Sequence, residues 1–260
     1  MNKNIKLFKL LALLLFATAA NAQEATKEEQ LFKYAQKLQQ EEKLNDALTI
    51  YKNLLKNDSS NIEYLWRTSF IYSKIGVDQP TETARQQWYQ TAAYLARKAV
   101  TQFPQNAYAH YVYAMALGRM SENASSKVKI DNARQIKTEA ETAIKLNPKL
   151  AGPYHIMGRW HRVVAGFSGF ERTMIKAIFG GIPGGSYDDA IRYFEKAIVL
   201  EPTNAIHYYE LAVSYLERNE TNDKEQAKHW LQKALLIQVV SNEDAANKSK
   251  CEALLKKISG

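Results

Sequence analysis

Residues 147–160 read Asn147-Pro148-Lys149-Leu150-Ala151-Gly152-Pro153-Tyr154-His155-Ile156-Met157-Gly158-Arg159-Trp160, and this stretch decides the fold. Pro148 marks the end of one helix, because proline cannot continue a helix and disfavours helix in the residue before it. In the following helix, Tyr154, Met157, Gly158 and His161 recur at i, i+3, i+4 and i+7, which is the spacing of one packed face. The stretch therefore predicts that one helix stops and the next packs back along it, with Gly158 allowing a close approach.

The same offsets recur at five places in the chain. In each, a small or apolar residue is followed at +4 and +7 by two more. At +12 comes a helix-ending proline in three sets and, as a looser match, Ser59 or Val239 in the other two. The sets are Ala47, Tyr51, Leu54 and Ser59; Ala92, Ala96, Ala99 and Pro104; Ile136, Ala140, Ala143 and Pro148; Ala190, Phe194, Ala197 and Pro202; Ala227, Leu231, Ala234 and Val239. Such repeats are typical of tetratricopeptide hairpins, in which the small residues let two helices approach closely.

The first helix of each hairpin repeats its own apolar face. These faces are Leu31-Tyr34-Ala35-Leu38, Leu65-Thr68-Ser69-Tyr72, His110-Tyr113-Ala114-Leu117, Tyr154-Met157-Gly158-His161 and Tyr208-Leu211-Ala212-Tyr215. No run alternates with a period of two, so we expect no sheet. Residues 242–258 read as a helix that caps the last hairpin. The sequence thus predicts an all-α protein, a right-handed α-solenoid of about five tetratricopeptide-like hairpins with a C-terminal capping helix.

The fourth hairpin carries an insertion, residues 165–186, between its two helices. The apolar spacing from Phe170 to Phe179 predicts a short extra helix, followed by a glycine-rich turn. The turn lacks the lysine and the preceding strand of a phosphate-binding loop.

The first 22 residues have the pattern of a secretory signal. A lysine-containing start precedes an apolar run too short to span a membrane comfortably, and Ala20-Asn21-Ala22 matches a cleavage site. We predict one helical-repeat domain over residues 23–260, exported to the periplasm or secreted, with no stable membrane anchor.

Charge and composition limit the classes of partner that the chain could bind. Removing Lys3, Lys6 and Lys9 leaves 32 basic and 27 acidic residues, so the net charge falls from +8 to +5. The basic residues are scattered rather than clustered, so we expect no nucleic-acid partner. Cys251, the single cysteine, cannot form an intramolecular disulfide and is expected to be a buried small apolar residue.

No spacing of residues in the chain predicts a catalytic site or a metal site. The five histidines form no i, i+4 pair, so we expect no metal site. No nucleophile–base arrangement or carboxylate pair is apparent, and we expect no cofactor, no catalytic residue and no enzymatic activity.

Several short sequence blocks occur together and in a fixed order along the chain. They are Leu65-Trp66-Arg67, Ala143–Pro148 with Gly158-Arg159-Trp160, Phe179–Pro183 with Ser186–Ala190, Phe194-Glu195-Lys196-Ala197 and Ser241-Asn242-Glu243-Asp244. In this combination the chain, from Leu31 to Ile258, resembles the regulator of microtubule dynamics family, tetratricopeptide-like proteins with bacterial relatives. The resemblance implies an all-α, non-enzymatic interaction protein and, for some members, association with microtubules. Because an exported protein would not meet microtubules, only the fold and the binding role carry over.

One face of the first helices is free of packing within its own hairpin, and we call it the first-helix stripe. We predict that it lines the concave surface and binds a partner through aromatic and basic side chains, which suit a protein or peptide with an acidic group. Its members are Trp66, Phe70, Tyr111, His155, Arg159, Arg162 and Tyr209. Alternatively, the inserted helix fills this groove and the stripe is core.

The sequence thus favours an exported scaffold for protein interaction. A periplasmic small-ligand-binding partner of a transporter and an enzyme with an unrecognised site are the alternatives. The partner and the oligomeric state stay open.

Overall fold

The computed structural model describes residues 26–239 and 241–260, and within these ranges every regular element is helical. The helices are α1 (26–40), α2 (Leu44–Asn57), α3 (Ile62–Ile75), α4 (Glu82–Gln102), α5 (Ala107–Ser121), α6 (Ser126–Leu146), α7 (Ala151–Ala165), α8 (Gly169–Phe179), α9 (Tyr187–Leu200), α10 (Ala205–Arg218), α11 (Asp223–Leu235) and α12 (Asn242–Ser259). A short 3₁₀ turn covers Gly76–Asp78. The all-α prediction is confirmed. The predicted signal peptide lies outside the described residues.

The chain divides after Tyr64 into two units, of which the first holds α1 and α2. Its aromatic centre is Phe32, whose ring lies 6.1 Å from that of Tyr51 and 5.3 Å from that of Tyr64. The Tyr64 hydroxyl donates to Glu28 Oε1 at 2.9 Å, which ties the start of α3 to α1.

The second unit, Leu65–Gly260, is a succession of antiparallel helix pairs, as the repeat pattern predicts. Helix α5 packs on α6, α7 on α9, and α10 on α11, while α12 covers α10 and α11. Helices α3 and α4 are joined by a hydrogen bond from Ser69 Oγ to the Ala92 carbonyl at 2.8 Å and by the Tyr72 and Trp88 rings, 5.0 Å apart. The predicted hairpins and the capping helix are confirmed.

The small and apolar residues at the repeated offsets lie in the interior, as their spacing predicts. All those at the first three offsets in the five sets are buried, and none exceeds 8% exposure. Several helices begin at a capping residue whose side chain accepts a backbone amide hydrogen bond from the first turn. These are Thr81, Asn106, Ser168, Ser186, Asn204 and Ser241. Such caps fix where each helix begins.

The predicted extra helix exists as α8, between the two helices of the fourth hairpin. Ser168 and Glu171 form a capping box at its start, and Gly180, with φ of 76°, ends it in the left-handed conformation that glycine favours. No residue of α8 is buried, and Phe170 is 75% exposed. Helix α8 therefore does not supply the core of a filled groove, which argues against the alternative in which the stripe is buried by the insertion.

The insertion is nevertheless attached at both ends. The Arg172 guanidinium donates to the Phe167 carbonyl at 3.1 Å and to that of Val164 at the end of α7. The Arg134 guanidinium of α6 donates to the carbonyls of Phe179 and Gly181. Two arginines thus satisfy carbonyl groups that would otherwise need water.

Two further expectations concern single residues. Gly158 lies where α7 meets α9, as the close-approach prediction requires. Cys251 is fully buried, and burial raises the pKa of its thiol to about 11, which confirms its assignment as a buried apolar residue. Among the helices of the described ranges, none is both long and apolar enough to cross a membrane.

Candidate partner-binding site

The residues of the first-helix stripe lie on α3, α5, α7 and α10, all within the second unit. Their exposures differ widely. Trp66 is buried, with 6% exposure, and its ring stacks on that of Tyr108 with 4.5 Å between centroids. The next hairpin covers this end of the stripe, so Trp66 is a packing residue between α3 and α5.

Phe70 and Tyr111 form the aromatic part of the stripe, and both are half-buried. Their ring centroids are 6.4 Å apart. The Tyr111 ring lies next to Gly152 of α7, where an added Cβ would come within 2.4 Å of the ring. Burial, and then the charge of Glu201, raise the pKa of Tyr111. Its hydroxyl has no hydrogen-bond partner among the described residues.

His155 belongs to a line of three hydrogen-bonding side chains. Its Nδ1 lies 2.8 Å from Nδ1 of His207 on α10, and His207 Nε2 lies 2.9 Å from Glu201 Oε2. His207 is buried, whereas the Glu201 side chain is 48% exposed. Burial lowers the pKa of His155 well below its ordinary value, and the charges of His207 and Arg159 lower it further. His155 is therefore a neutral imidazole at neutral pH.

The two arginines of the stripe have different surroundings. Arg162 donates to Glu210 at 2.5 Å and to Glu217 at 2.8 Å, so both of its terminal nitrogens are engaged by α10. Arg159 is 45% exposed, and its nearest carboxylate is Glu210, at 3.7 Å. The structure therefore ties Arg162 into an interhelical ion pair and leaves the donors of Arg159 largely available.

Tyr209 is half-buried and packs against the apolar cluster formed by α9, α10, α11 and α12. Helix α7, which carries His155, Arg159 and Arg162, lies between Tyr209 on α10 and Tyr111 on α5. The stripe thus has an aromatic residue on each side of a polar centre.

Sequence reasoning missed the partners of these residues. Glu201 in the turn after α9, and His207 and Glu210 on α10, were not singled out. All three lie outside α7, the helix that carries His155, Arg159 and Arg162. The same holds for a buried pair between α5 and α6, where His110 Nδ1 contacts Glu139 and His110 Nε2 lies 2.9 Å from the Pro104 carbonyl. Helix-face spacing carries no signal for contacts of this kind.

Among the residues that the structure describes, no group of three His, Cys, Asp or Glu side chains is arranged to hold a metal ion. Glu201, His207 and His155 form a hydrogen-bonded line.

Comparison with known proteins gives the family. The sequence profile described as "Regulator of microtubule dynamics protein 1-3" matches residues 29–259. Regulator of microtubule dynamics protein 1 of Bos taurus is 30% identical over 222 residues, covering 84% of this chain and 67% of the relative. Regulator of microtubule dynamics protein 2 of Rattus norvegicus is 30% identical over 188 residues, covering 72% of this chain and 45% of the relative.

Solved structures agree with the fold. A thermophilic TPR protein of Thermus thermophilus superposes with a TM-score of 0.62 at 17% identity, covering 88% of this chain and 99% of that one. A tetratricopeptide repeat protein from Parabacteroides merdae gives a TM-score of 0.51 at 14% identity, covering 89% and 74%. At these identities the likeness concerns the fold alone. Profile, relatives and repeat architecture together place this chain in the regulator of microtubule dynamics protein 1-3 family.

Proposed function

We propose that this chain is a non-enzymatic helical-repeat scaffold that holds an extended peptide segment of a partner protein against the first-helix stripe. One observation carries the proposal. Beside the aromatic rings of the stripe, the structure leaves hydrogen-bonding groups unused: the Tyr111 hydroxyl, Nε2 of His155 and the guanidinium of Arg159. Aromatic side chains supply rigid contact area, and polar groups between them fix the orientation of a ligand.

Arg159 is the residue proposed to meet an acidic group of the partner. An exposed guanidinium forms charge-assisted hydrogen bonds with carboxylates, whereas Arg162 already has two such partners in the chain. The signal-like pattern of residues 1–22 supports an exported protein, and export is part of the proposal. What the relatives' name says of microtubules is a property of those proteins.

The test is selection of peptides that bind the stripe. A library of random unstructured peptides displayed on phage is panned against the chain from Gln23 onwards, and binders are synthesised. Affinity is then measured by isothermal titration calorimetry for the parent, Tyr111→Ala and Arg159→Ala, with Lys149→Ala on an exposed turn as the control. A charge-assisted hydrogen bond contributes about 1.5–3 kcal/mol, so Arg159→Ala should weaken binding about tenfold or more.

Two results would overturn the proposal. Panning that yields no binder, or binders whose affinity is unchanged in both stripe variants, removes the stripe as the binding surface. If the selected peptides are acidic, their affinity should also fall as salt is added, because exposed charge pairs are screened.

A further inference from the structure

An ion pair joins the helix α3 to the last helix of the chain. Lys74 Nζ on α3 donates to Glu243 Oε2 on α12, and the two residues are 169 positions apart in sequence. The first turn of α12 is capped by Ser241, whose side chain accepts a hydrogen bond from the Asp244 amide. Glu243 is therefore not needed to start its own helix, and its carboxylate is used on Lys74.

Lys74 lies beside the aromatic part of the first-helix stripe. It follows Phe70 by one turn of α3, and its ammonium nitrogen is 5.9 Å from the centroid of that ring. The Phe70 ring is in turn 6.4 Å from the ring of Tyr111. Burial raises the pKa of Tyr111, and the charges of Glu201 and Glu243 raise it further. The carboxylate of Glu243 is thus held next to the rings that the proposed function uses.

The contact is one that another carboxylate can take over. The side chain of Glu243 is 46% exposed, and that of Lys74 is 21% exposed. A lysine ammonium has three donors, and among the described residues Glu243 is the one acceptor that this ammonium reaches. Ion pairs with an exposed member contribute little to stability, and a displaced Glu243 returns to water. Exchange therefore leaves no charged group buried and unpaired.

Glu201 is the second carboxylate near Lys74. Burial raises the pKa of Glu201, whereas its hydrogen bond with His207 and the charge of Lys74 lower it. Its Oε2 lies 2.9 Å from His207 Nε2 and 3.2 Å from Asn204 Nδ2. Glu201 is thus engaged within its own part of the chain, and Glu243 is the carboxylate in direct contact with Lys74.

We propose that Lys74, beside Phe70 and Tyr111, is a binding site for a carboxylate of the bound peptide, and that Glu243 occupies this site in the free chain. The inference rests on the proposed function and adds to Arg159 a second position that binds an acidic group. Glu243 is then an internal competitor, whose carboxylate the peptide displaces. The ligand is a carboxylate, which a peptide supplies from an acidic side chain or from its C-terminus.

Three peptides test the ligand class. They are acetyl-Ala-Ala-Glu-Ala-Ala-amide, the same peptide with glutamine in place of glutamate, and acetyl-pentaalanine with a free C-terminus. Aromatic ¹H–¹³C NMR resonances of Phe70 and Tyr111 should shift with the glutamate peptide and stay in place with the glutamine peptide. A shift with acetyl-pentaalanine adds the C-terminal carboxylate as a source. Equal shifts with glutamate and glutamine, or no shift with either carboxylate peptide, would overturn the proposal.

The two members of the ion pair should change the dissociation constant of the carboxylate peptide in opposite directions. Lys74→Gln removes the ammonium and should weaken binding about tenfold, as for the loss of a charge-assisted hydrogen bond. Glu243→Gln removes the competitor and should strengthen binding about two- to fivefold, the range that exposed ion pairs give. Glu225→Gln is the control, because Glu225 forms a similarly exposed pair with Lys228 on α11. Unchanged or weaker binding in Glu243→Gln would refute the competition.

The double variant Lys74→Gln/Glu243→Gln distinguishes displacement from charge repulsion. If Glu243 competes for Lys74, its removal strengthens binding only while Lys74 is present, and the double variant binds like Lys74→Gln. An equal gain in both backgrounds would show that Glu243 merely repels the peptide, and would refute its occupation of the site.

Failure of this inference is separable from failure of the proposed function. Peptides selected by panning that lose affinity in Arg159→Ala but bind Lys74→Gln and Glu243→Gln like the parent would keep the stripe as a binding surface and refute the site at Lys74. Selected peptides that ignore Tyr111→Ala and Arg159→Ala, beside a glutamate peptide that follows Lys74 and Glu243, would remove the proposed function and keep the carboxylate site.

Discussion

The ring of Phe194 on α9 lies against Gly158 on α7 so closely that an added Cβ would come within 2.7 Å of it. Phe194 has no exposed surface, so its ring has no solvent-side space into which to move. The absence of a side chain at Gly158 is thus what lets the fourth hairpin close.

A pair of glycine substitutions tests this contact. Gly158→Ala should destabilise the protein, because overpacking a core contact costs about 1–3 kcal/mol. Gly118 also lies within a helix, α5, but an added Cβ would meet nothing within 4 Å. Gly118→Ala should therefore stabilise by about 0.5–1 kcal/mol through helix propensity. Thermal melts followed by circular dichroism give the two signs, and shifts in the same direction would contradict the assignment.

The Arg162–Glu210 pair should contribute to stability rather than to binding. Their side chains are 15% and 10% exposed, so Arg162→Ala leaves a buried carboxylate without its partner. Removing one member of a buried pair costs about 3–5 kcal/mol. Arg159→Ala, at an exposed position, should stay within about 0.5 kcal/mol of the parent. Urea unfolding distinguishes the two, and equal midpoints for both variants would show that the pair is not structural.

His110 should make the protein more stable on the acid side of neutrality. Burial lowers the pKa of His110, but its hydrogen bonds with Glu139 and the Pro104 carbonyl outweigh burial, and the net pKa is raised above 6.5. The folded protein therefore holds this proton more tightly than the unfolded chain, and the stabilisation is present below pH 6.5 and lost as the pH rises through the folded value. His110→Gln should remove this difference between pH 6 and pH 8 in urea titrations. A parent and variant with parallel pH profiles would count against it.

His155 should act in the opposite direction. Burial is the main cause of its lowered pKa, followed by His207 and Arg159, so the unfolded chain binds this proton more readily. Stability should then fall as the pH drops below 6.5, because protons pull the equilibrium towards the unfolded state. His155→Phe should flatten that decline between pH 6.5 and pH 5. The control is His229→Phe, at an exposed ring, which should leave the profile unchanged.

The spacing of apolar residues was sufficient to predict the fold, because residues at these offsets lie on the same face of a single helix. Ala92, Ala140 and Ala197 could be placed in the interior from spacing alone, and the structure buries all three. The site was harder to predict. His155 and His207 are 52 residues apart in sequence and lie in successive hairpins. Whether their rings meet depends on how one hairpin is rotated relative to the next. Spacing within either helix does not contain that rotation.

The same distinction separates the two arginines. Arg159 and Arg162 differ by less than one turn of α7, and their sequence context gives no reason to assign them different roles. The positions of Glu210 and Glu217 on α10 decide that Arg162 is engaged and Arg159 is exposed. Likewise, Trp66 is buried because Tyr108 of the next hairpin stacks on it. The residue pattern of α3 does not predict this contact.

The insertion that carries α8 also bears on the order of folding. Residues 201–204 join α9 to α10, whereas residues 166–186 separate α7 from α9. Since loop-closure entropy rises by about 0.6 kcal/mol for each doubling of loop length, closing α7 on α9 costs roughly 1–1.5 kcal/mol more than closing a short turn. Local contacts form fastest, so nucleation should favour the α5–α6 and α10–α11 pairs. The fourth hairpin, which carries the polar centre of the stripe, would then be completed between two neighbours that are already folded.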